Sequence, residues 1–159
     1  NCYSELGKGT TFRIYLPCIK TKGINEAKAA ERVVPAGGTE TILVAEDDDV
    51  VRGLTTRLLE ELGYKVIEAV NGEDAVEKFK ENRDSIQLLL FDVVMPRMNG
   101  REAYDRIKQI KSGVKILFTS GYPEEHISMH YIRANGLEFI SKPAQPAVLL
   151  SKVREVLDK

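Results

Sequence analysis

The chain has 159 residues, 43% of them hydrophobic and 30% charged, and its 23 Lys and Arg against 24 Asp and Glu leave a formal net charge of −1. That balance can build a packed core, which excludes a wholly disordered chain. No apolar run approaches the roughly 20 residues of a membrane-spanning helix, and near-neutrality gives no broad electrostatic case for nucleic acid or anionic lipid. Two cysteines, Cys2 and Cys18, without a Cys-x-x-Cys pair suggest neither a disulfide framework nor a cysteine zinc site, so a reducing cytoplasm is the expected location. The chain opens Asn1-Cys2-Tyr3, with neither Met nor a basic-then-apolar leader, and reads as a piece of something longer.

Residues 1–18 read as a hairpin remnant. A short strand meets a glycine turn at Gly7-Lys8-Gly9, then a second strand alternates Phe12, Ile14 and Leu16 with Thr11, Arg13 and Tyr15 until Pro17. A lone hairpin is marginal in water, so this one is expected to need partners over its apolar face. Residues 19–38 are rich in Lys, Glu, Ala and Gly, ending Val34-Pro35-Ala36-Gly37-Gly38, and read as a linker with helical character around 25–33. Six basic and three acidic residues precede position 39, which leaves a formal −4 on the 121 residues that follow.

From Thr39 onward, apolar runs at 41–45, 65–69, 87–91, 114–118 and 137–140 alternate with helical spacings. The first helix has Val51, Leu54, Leu58 and Leu62 on one stripe; the second Ala75, Val76 and Phe79; the third Ala103, Tyr104, Ile107 and Ile110; the last Leu149, Val153, Val156 and Leu157. Gly63 closes the first helix, Asn71-Gly72 opens the second and Asn99-Gly100 the third. Five strands alternating with five helices make residues 39–159 a doubly wound α/β domain around a five-stranded parallel sheet. Leu88-Leu89-Leu90-Phe91 suits a central strand and the alternating Lys65-Val66-Ile67-Glu68 an edge.

Ligands of open parallel sheets bind beyond the carboxyl ends of the strands. There the first strand runs into Glu46-Asp47-Asp48-Asp49, the third into Asp92, the fourth into Thr119-Ser120 and the fifth into Ser141-Lys142-Pro143. One of Asp48 and Asp49 is expected to cap the first helix, so the run is not four ligands. Carboxylates crowded on one rim repel unless a cation neutralises them, and hard oxygen ligands favour Mg²⁺. An Asp beside such a metal, with Lys142 as a point charge and Thr119 as a donor for equatorial oxygens, is equipped to attack phosphorus and carry an acyl phosphate. His126 and His130 stand four apart, a spacing that suits zinc, but no third ligand accompanies them and they are assigned no chemistry. Met129, Tyr131 and Ile132 read as core or as part of an output face formed by the fourth helix, fifth strand and fifth helix, with the sequence favouring core.

The stretch Thr41-Ile42-Leu43-Val44-Ala45-Glu46-Asp47-Asp48, the segment Leu90-Phe91-Asp92-Val93-Val94-Met95-Pro96-Arg97-Met98-Asn99-Gly100, the pair Thr119-Ser120 and the ending Phe139-Ile140-Ser141-Lys142-Pro143 together resemble the receiver domain of two-component response regulators. The resemblance implies a flavodoxin-like sheet of order 2-1-3-4-5. It also implies Asp92 as phosphoacceptor and Asp47 as a direct Mg²⁺ ligand, with Glu46 a ligand directly or through water and the Val94 backbone carbonyl completing the set. Thr119 and Lys142 would hold the phosphoryl group, and Phe139 would be an aromatic switch that works by packing alone, having no hydroxyl. A cis peptide before Pro143 is implied as well. The leading Gly7-Lys8-Gly9-Thr10-Thr11-Phe12-Arg13-Ile14-Tyr15-Leu16-Pro17 resembles the last hairpin of the ATP-binding domain of sensor histidine kinases. It does not fit the phosphate-loop pattern, so the fragment itself is not expected to bind ATP.

The leading expectation is therefore a phosphorelay receiver at the end of a hybrid kinase, phosphorylated on Asp92 from a phosphohistidine. Its partners would be a histidine kinase domain and a phosphotransfer protein or downstream regulator, with no nucleic-acid or membrane contact by this fragment and a homodimer left open. Its own chemistry would be slow self-phosphotransfer and dephosphorylation. An aspartate-nucleophile phosphatase is the rival, but it needs a second Asp where Val94 stands; a receiver-like interaction module without phosphorylation is the third reading.

Overall fold

The computed structural model describes residues 2–15, 36–121, 132 and 134–159, and the chain divides into two compact units, 1–33 and 34–159. In the first unit, β1 (Cys2–Glu5) pairs antiparallel with β2 (Gly9–Phe12), in a register that sets Cys2 opposite Phe12. Gly7 and Gly9 take φ of 80° and 97°, left-handed values that a side chain would resist. The second strand ends at Phe12, earlier than its alternation implies, and Phe12 and Ile14 are 72% and 83% exposed. Among the described residues of this unit no second layer covers that face, so the expected half-burial is not seen there. The linker helix around 25–33, and Leu16 and Pro17, lie outside the described residues.

In the second unit, β3 (Thr41–Ala45), β4 (Lys65–Ala69), β5 (Ile86–Asp92), β6 (Lys115–Ser120) and β7 (Glu138–Ser141) form one parallel sheet of order β4-β3-β5-β6-β7. Numbered within the unit this is 2-1-3-4-5, the flavodoxin-like order. The described helices are α1 (Asp49–Glu60), α2 (Gly72–Asn82), α3 (Gly100–Ile110) and α4 (Pro146–Asp158). Between β6 and β7, Gly121, Ile132 and residues 134–137 are described; Ile132 and Ala134 are helical, and Ile132 is fully buried as expected. Met129, Tyr131 and the His126/His130 pair lie outside the described residues.

Successive side chains of a strand face opposite ways, so one sheet builds two cores. Leu43, Leu89, Phe91, Ile116 and Phe118 pack against Ala75, Val76 and Phe79 of α2 and Ala103, Tyr104 and Ile107 of α3. Ile42, Val44, Leu88, Leu90 and Leu117 pack against Leu59 of α1 and Leu149, Val153 and Val156 of α4. Each fully buried Leu, Ile or Phe contributes about 1.5–3 kcal/mol, which makes these two layers the main source of stability. Tyr104 and Phe118 meet edge to face at 5.9 Å.

Helix starts follow the sequence signals. The Asp48 side chain accepts from the Val50 and Val51 amides, Asn71 from Asp74 and Asn99 from Glu102, at 2.8 to 3.1 Å, so Asp48 rather than Asp49 is the first cap. The expected α1 stripe needs correction: Arg52, Thr56 and Leu59 are buried, Leu58 and Leu62 are partly buried, and Leu54 is 58% exposed. The helix is rotated so that its first turns bury an arginine beside the acidic loop. Val51 and Leu54 instead line an apolar groove of about 540 Å³ with Pro143, Pro146 and Leu149.

The Arg154 guanidinium donates to Glu40 at 2.9 Å, tying α4 to the segment before β3 and holding the Glu40 carboxyl below its ordinary pKa. A lowered pKa makes this contribution complete above the ordinary carboxylate value and lost as pH falls through the folded one. Glu40→Gln is therefore expected to cost about 0.5–1 kcal/mol at pH 7 for a pair that solvent partly screens. Thermal melts should show the gap to the parent chain closing in acid; a gap that persists there contradicts the ion pair as its source.

Candidate functional site

The carboxyl ends of β3, β5, β6 and β7 bring the predicted residues together. Glu46 follows β3 directly and is buried; Asp92 is the last residue of β5 and is buried too; Asp47 is exposed. One oxygen from each of Glu46, Asp47 and Asp92 can be chosen so that all three lie within 4.8 Å of one another. Lys142, just past β7, reaches back over the sheet, and its ammonium donates to Glu46 Oε2 at 2.5 Å and Asp92 Oδ2 at 2.7 Å. The Lys142–Pro143 peptide is cis, as the resemblance implies, and the Lys142 amide donates to the Ser120 carbonyl at 2.6 Å.

Both strands at the site run further than their apolar cores suggest. β5 extends to Asp92 and β6 through Thr119 and Ser120, because Asp92 and Thr119 are still paired in register. Asp92 and the Thr119 hydroxyl thus sit on regular backbone, which holds a site more tightly than loops do. The Thr119 hydroxyl faces back to the Phe91 carbonyl at 3.4 Å, and the Val93 amide donates to the Thr119 carbonyl at 2.9 Å. Val94 is about half exposed; its amide donates to Asp92 Oδ1 at 3.3 Å, and its side chain provides no second carboxylate there. Phe139 of β7 is half-buried and packs on the α2/α3 side of the sheet.

The electrostatics explain how buried charges coexist in this place. Burial pushes the Glu46 carboxyl above its ordinary pKa, opposed by Lys142 and reinforced by the nearby Asp92 and Asp47 charges. Burial likewise opposes the Lys142 charge, but its bonds to Asp92 and Glu46 outweigh that and hold its pKa above the ordinary lysine value. One ammonium thus bridges two carboxylates supplied by strands 46 positions apart. Three acids in reach of one another, one open to solvent, form a buried acidic cluster of hard oxygen donors that suits a small divalent cation such as Mg²⁺.

Sequence reasoning missed two supports. The edge strand β4, whose end carries no comparable side chain, accepts the Glu46 amide on the Ala69 carbonyl at 3.1 Å. Arg52 of α1, buried, donates to the Glu46 carbonyl at 2.9 Å. Arg52 falls off the stripe read at 51, 54, 58 and 62, so the hydropathy spacing carried no signal for it.

The family model for the response regulator receiver domain matches residues 42–154. The chain belongs to this family. Over 165 residues it is 34% identical to the sensor kinase CckA of Brucella abortus, an alignment covering 99% of this chain and 18% of that kinase. The crystal structure of a receiver domain from a hybrid histidine kinase CckA superposes with a TM-score of 0.63 at 33% identity, covering 74% of this chain and 98% of that one. A CheX–CheY–BeF3–Mg²⁺ complex from Borrelia burgdorferi matches at 25% identity with a TM-score of 0.69, covering 76% of this chain and 90% of its own. This chain is accordingly a receiver of two-component signalling, with the flavodoxin-like fold of that family. Among the described residues of the receiver chain, no helix is long and apolar enough to cross a membrane.

Proposed function

We propose that the receiver takes a phosphoryl group onto Asp92 from a phosphohistidine and uses it to switch conformation within a phosphorelay. The observation that carries this reading is the convergence of Glu46, Asp47 and Asp92 oxygens within 4.8 Å, with the Lys142 ammonium on Asp92. An Asp92 oxygen bonds to phosphorus as the phosphorus–nitrogen bond of the phosphohistidine breaks. The imidazole keeps the bonding pair and takes up a proton from solvent. Asp47, Asp92 and the Val94 carbonyl hold Mg²⁺, with Glu46 contributing directly or through water. The bound ion supplies charge neutralisation for the carboxylates and the phosphoryl oxygens.

Lys142 leaves one of its two carboxylates to hold a phosphoryl oxygen, and the Thr119 hydroxyl turns from the Phe91 carbonyl to donate to another. Phe139, without a hydroxyl, reads that movement by packing into the space it opens. The BeF3 and Mg²⁺ of the Borrelia CheY complex support the same chemistry here. Incubating the chain with Mg²⁺ and acetyl phosphate should add one phosphoryl group by intact-mass spectrometry, labile at alkaline pH. Asp92→Asn should add none, and equal labelling of that variant would overturn the assignment.

The parent protein is, in this reading, a cytoplasmically exposed hybrid histidine kinase. Residues 1–18 are the last hairpin of its ATP-binding domain, 19–38 a linker and 39–159 the receiver. Support comes from the alignment with the Brucella sensor kinase, which runs through all three segments, and from the exposed apolar residues of β2 and its continuation. The partners are then the kinase's phosphohistidine and a phosphotransfer protein.

A further inference from the structure

We infer that Arg52 is a positioning residue for the acidic rim, holding the backbone of Glu46 so that the loop carrying Glu46 and Asp47 is set for a divalent cation before one arrives. The inference rests on the reading of those two acids as Mg²⁺ ligands. Arg52 sits in the first turns of α1, where a helix packed on an apolar sheet ordinarily presents Leu or Ile, and is only 9% exposed. A buried guanidinium costs far more than a buried aliphatic side chain unless its donors are matched, and here they are matched to a specific set. One terminal nitrogen donates to the Glu46 carbonyl at 2.9 Å, the other to Asp49 Oδ1 at 2.5 Å, and Nε to Glu68 Oε2 at 3.2 Å.

Asp49 lies at the start of α1 and Glu68 on the edge strand, so the planar fork spans the loop's exit and the neighbouring strand at once. With the Glu46 amide already on Ala69, both backbone polar groups of Glu46 are held, one from β4 and one from α1. Residue 46 can then redirect its side chain without its main chain following. The loop needs no reordering on metal entry, and that preorganisation is where the affinity gain comes from.

The test is a Mg²⁺ titration of the whole chain by calorimetry, with melts of the same metal-free samples and amide shifts of Asp47. Arg52→Leu, which fills the space without the fork, should stay folded and bind Mg²⁺ roughly tenfold more weakly, the loss typical when a ligand's outer support is removed. Arg52→Lys, a point charge that can reach one partner, should fall between. A merely structural arginine would move the melting temperature and leave the Mg²⁺ dissociation constant and the Asp47 amide where they are, and that result overturns the inference. If Arg52→Leu does not fold, Glu68→Gln carries the test, because it loosens the fork from the half-exposed strand side; unchanged affinity in both Glu68→Gln and Arg52→Lys overturns it equally. If the parent chain shows no Mg²⁺ binding, or Asp47→Asn binds like the parent, the ligand reading has failed and the inference falls with it.

Discussion

Lys142→Met is expected to lower the stability of the metal-free chain by about 2–3 kcal/mol at pH 7, the cost of stranding buried carboxylates, reduced for partial exposure. Lys142 is the only cation bonded to both Glu46 and Asp92 among the described residues, and its removal leaves two inward carboxylates facing each other. The pH dependence has a definite sign. Burial already raises the Glu46 pKa, so the folded variant holds its proton more tightly than the unfolded chain does. The destabilisation is therefore full above the raised folded value and fades as pH falls toward the ordinary carboxylate range. Urea melts from pH 7 to 5 should show the variant gaining on the parent chain, and saturating Mg²⁺ should do the same at pH 7 by mass action on the folded state. A variant as stable as its parent at neutral pH would mean that the bridge contributes nothing. The bridge also revises a simpler expectation, that Asp92→Asn relieves repulsion and stabilises the metal-free domain. With Lys142 already between the carboxylates, that gain shrinks because an ion pair is lost with the charge.

Gly100→Ala should be the most disruptive single methyl in the domain. A Cβ at Gly100 would stand 2.0 Å from the Asp92 carbonyl oxygen and 3.0 Å from its carbon, both backbone atoms, so α3 has to move off β5. Overpacking of this kind costs about 1–3 kcal/mol, and here the displaced backbone belongs to the proposed acceptor. Labelling by acetyl phosphate should therefore fall along with the melting temperature. Gly53→Ala is the control, since nothing lies within 4 Å of a Cβ there and the position is inside α1. It should stabilise by about 0.5–1 kcal/mol through backbone entropy and leave labelling unchanged. Equal effects of the two alanines would refute close packing as the cause.

The strands were readable from their hydropathy: a central strand covered on both faces demands an uninterrupted apolar run and an edge strand alternates, and the expected Thr41–Ala45 and Lys65–Ala69 match residue for residue. The caps at Asn71 and Asn99 were readable for an equally local reason: the side chain bonds an amide three positions on. Glu46, Asp47, Asp92 and Lys142 could be gathered from sequence because topology alone sends strand ends to one rim. What could not be read was which group partners which. Lys142 choosing Glu46 and Asp92 together depends on contacts 96 and 50 positions away. The rotation of α1 was missed because hydropathy counts Arg52 as solvent-facing, whereas charge matched on three sides can be buried.

The Arg154 to Glu40 tie has a consequence for how such a domain can be used. Glu40 also accepts the Lys65 amide on its carbonyl at 2.9 Å, and Lys115, which begins β6, donates to the Leu157 carbonyl at 2.5 Å. The chain therefore enters and leaves the domain at the amino ends of the strands, with the acidic rim at the opposite pole. Both ends of the domain are thus set apart from the residues that gather at the acidic rim. Close-set ends away from the chemistry make a plug-in module, movable between host proteins without rebuilding its interior.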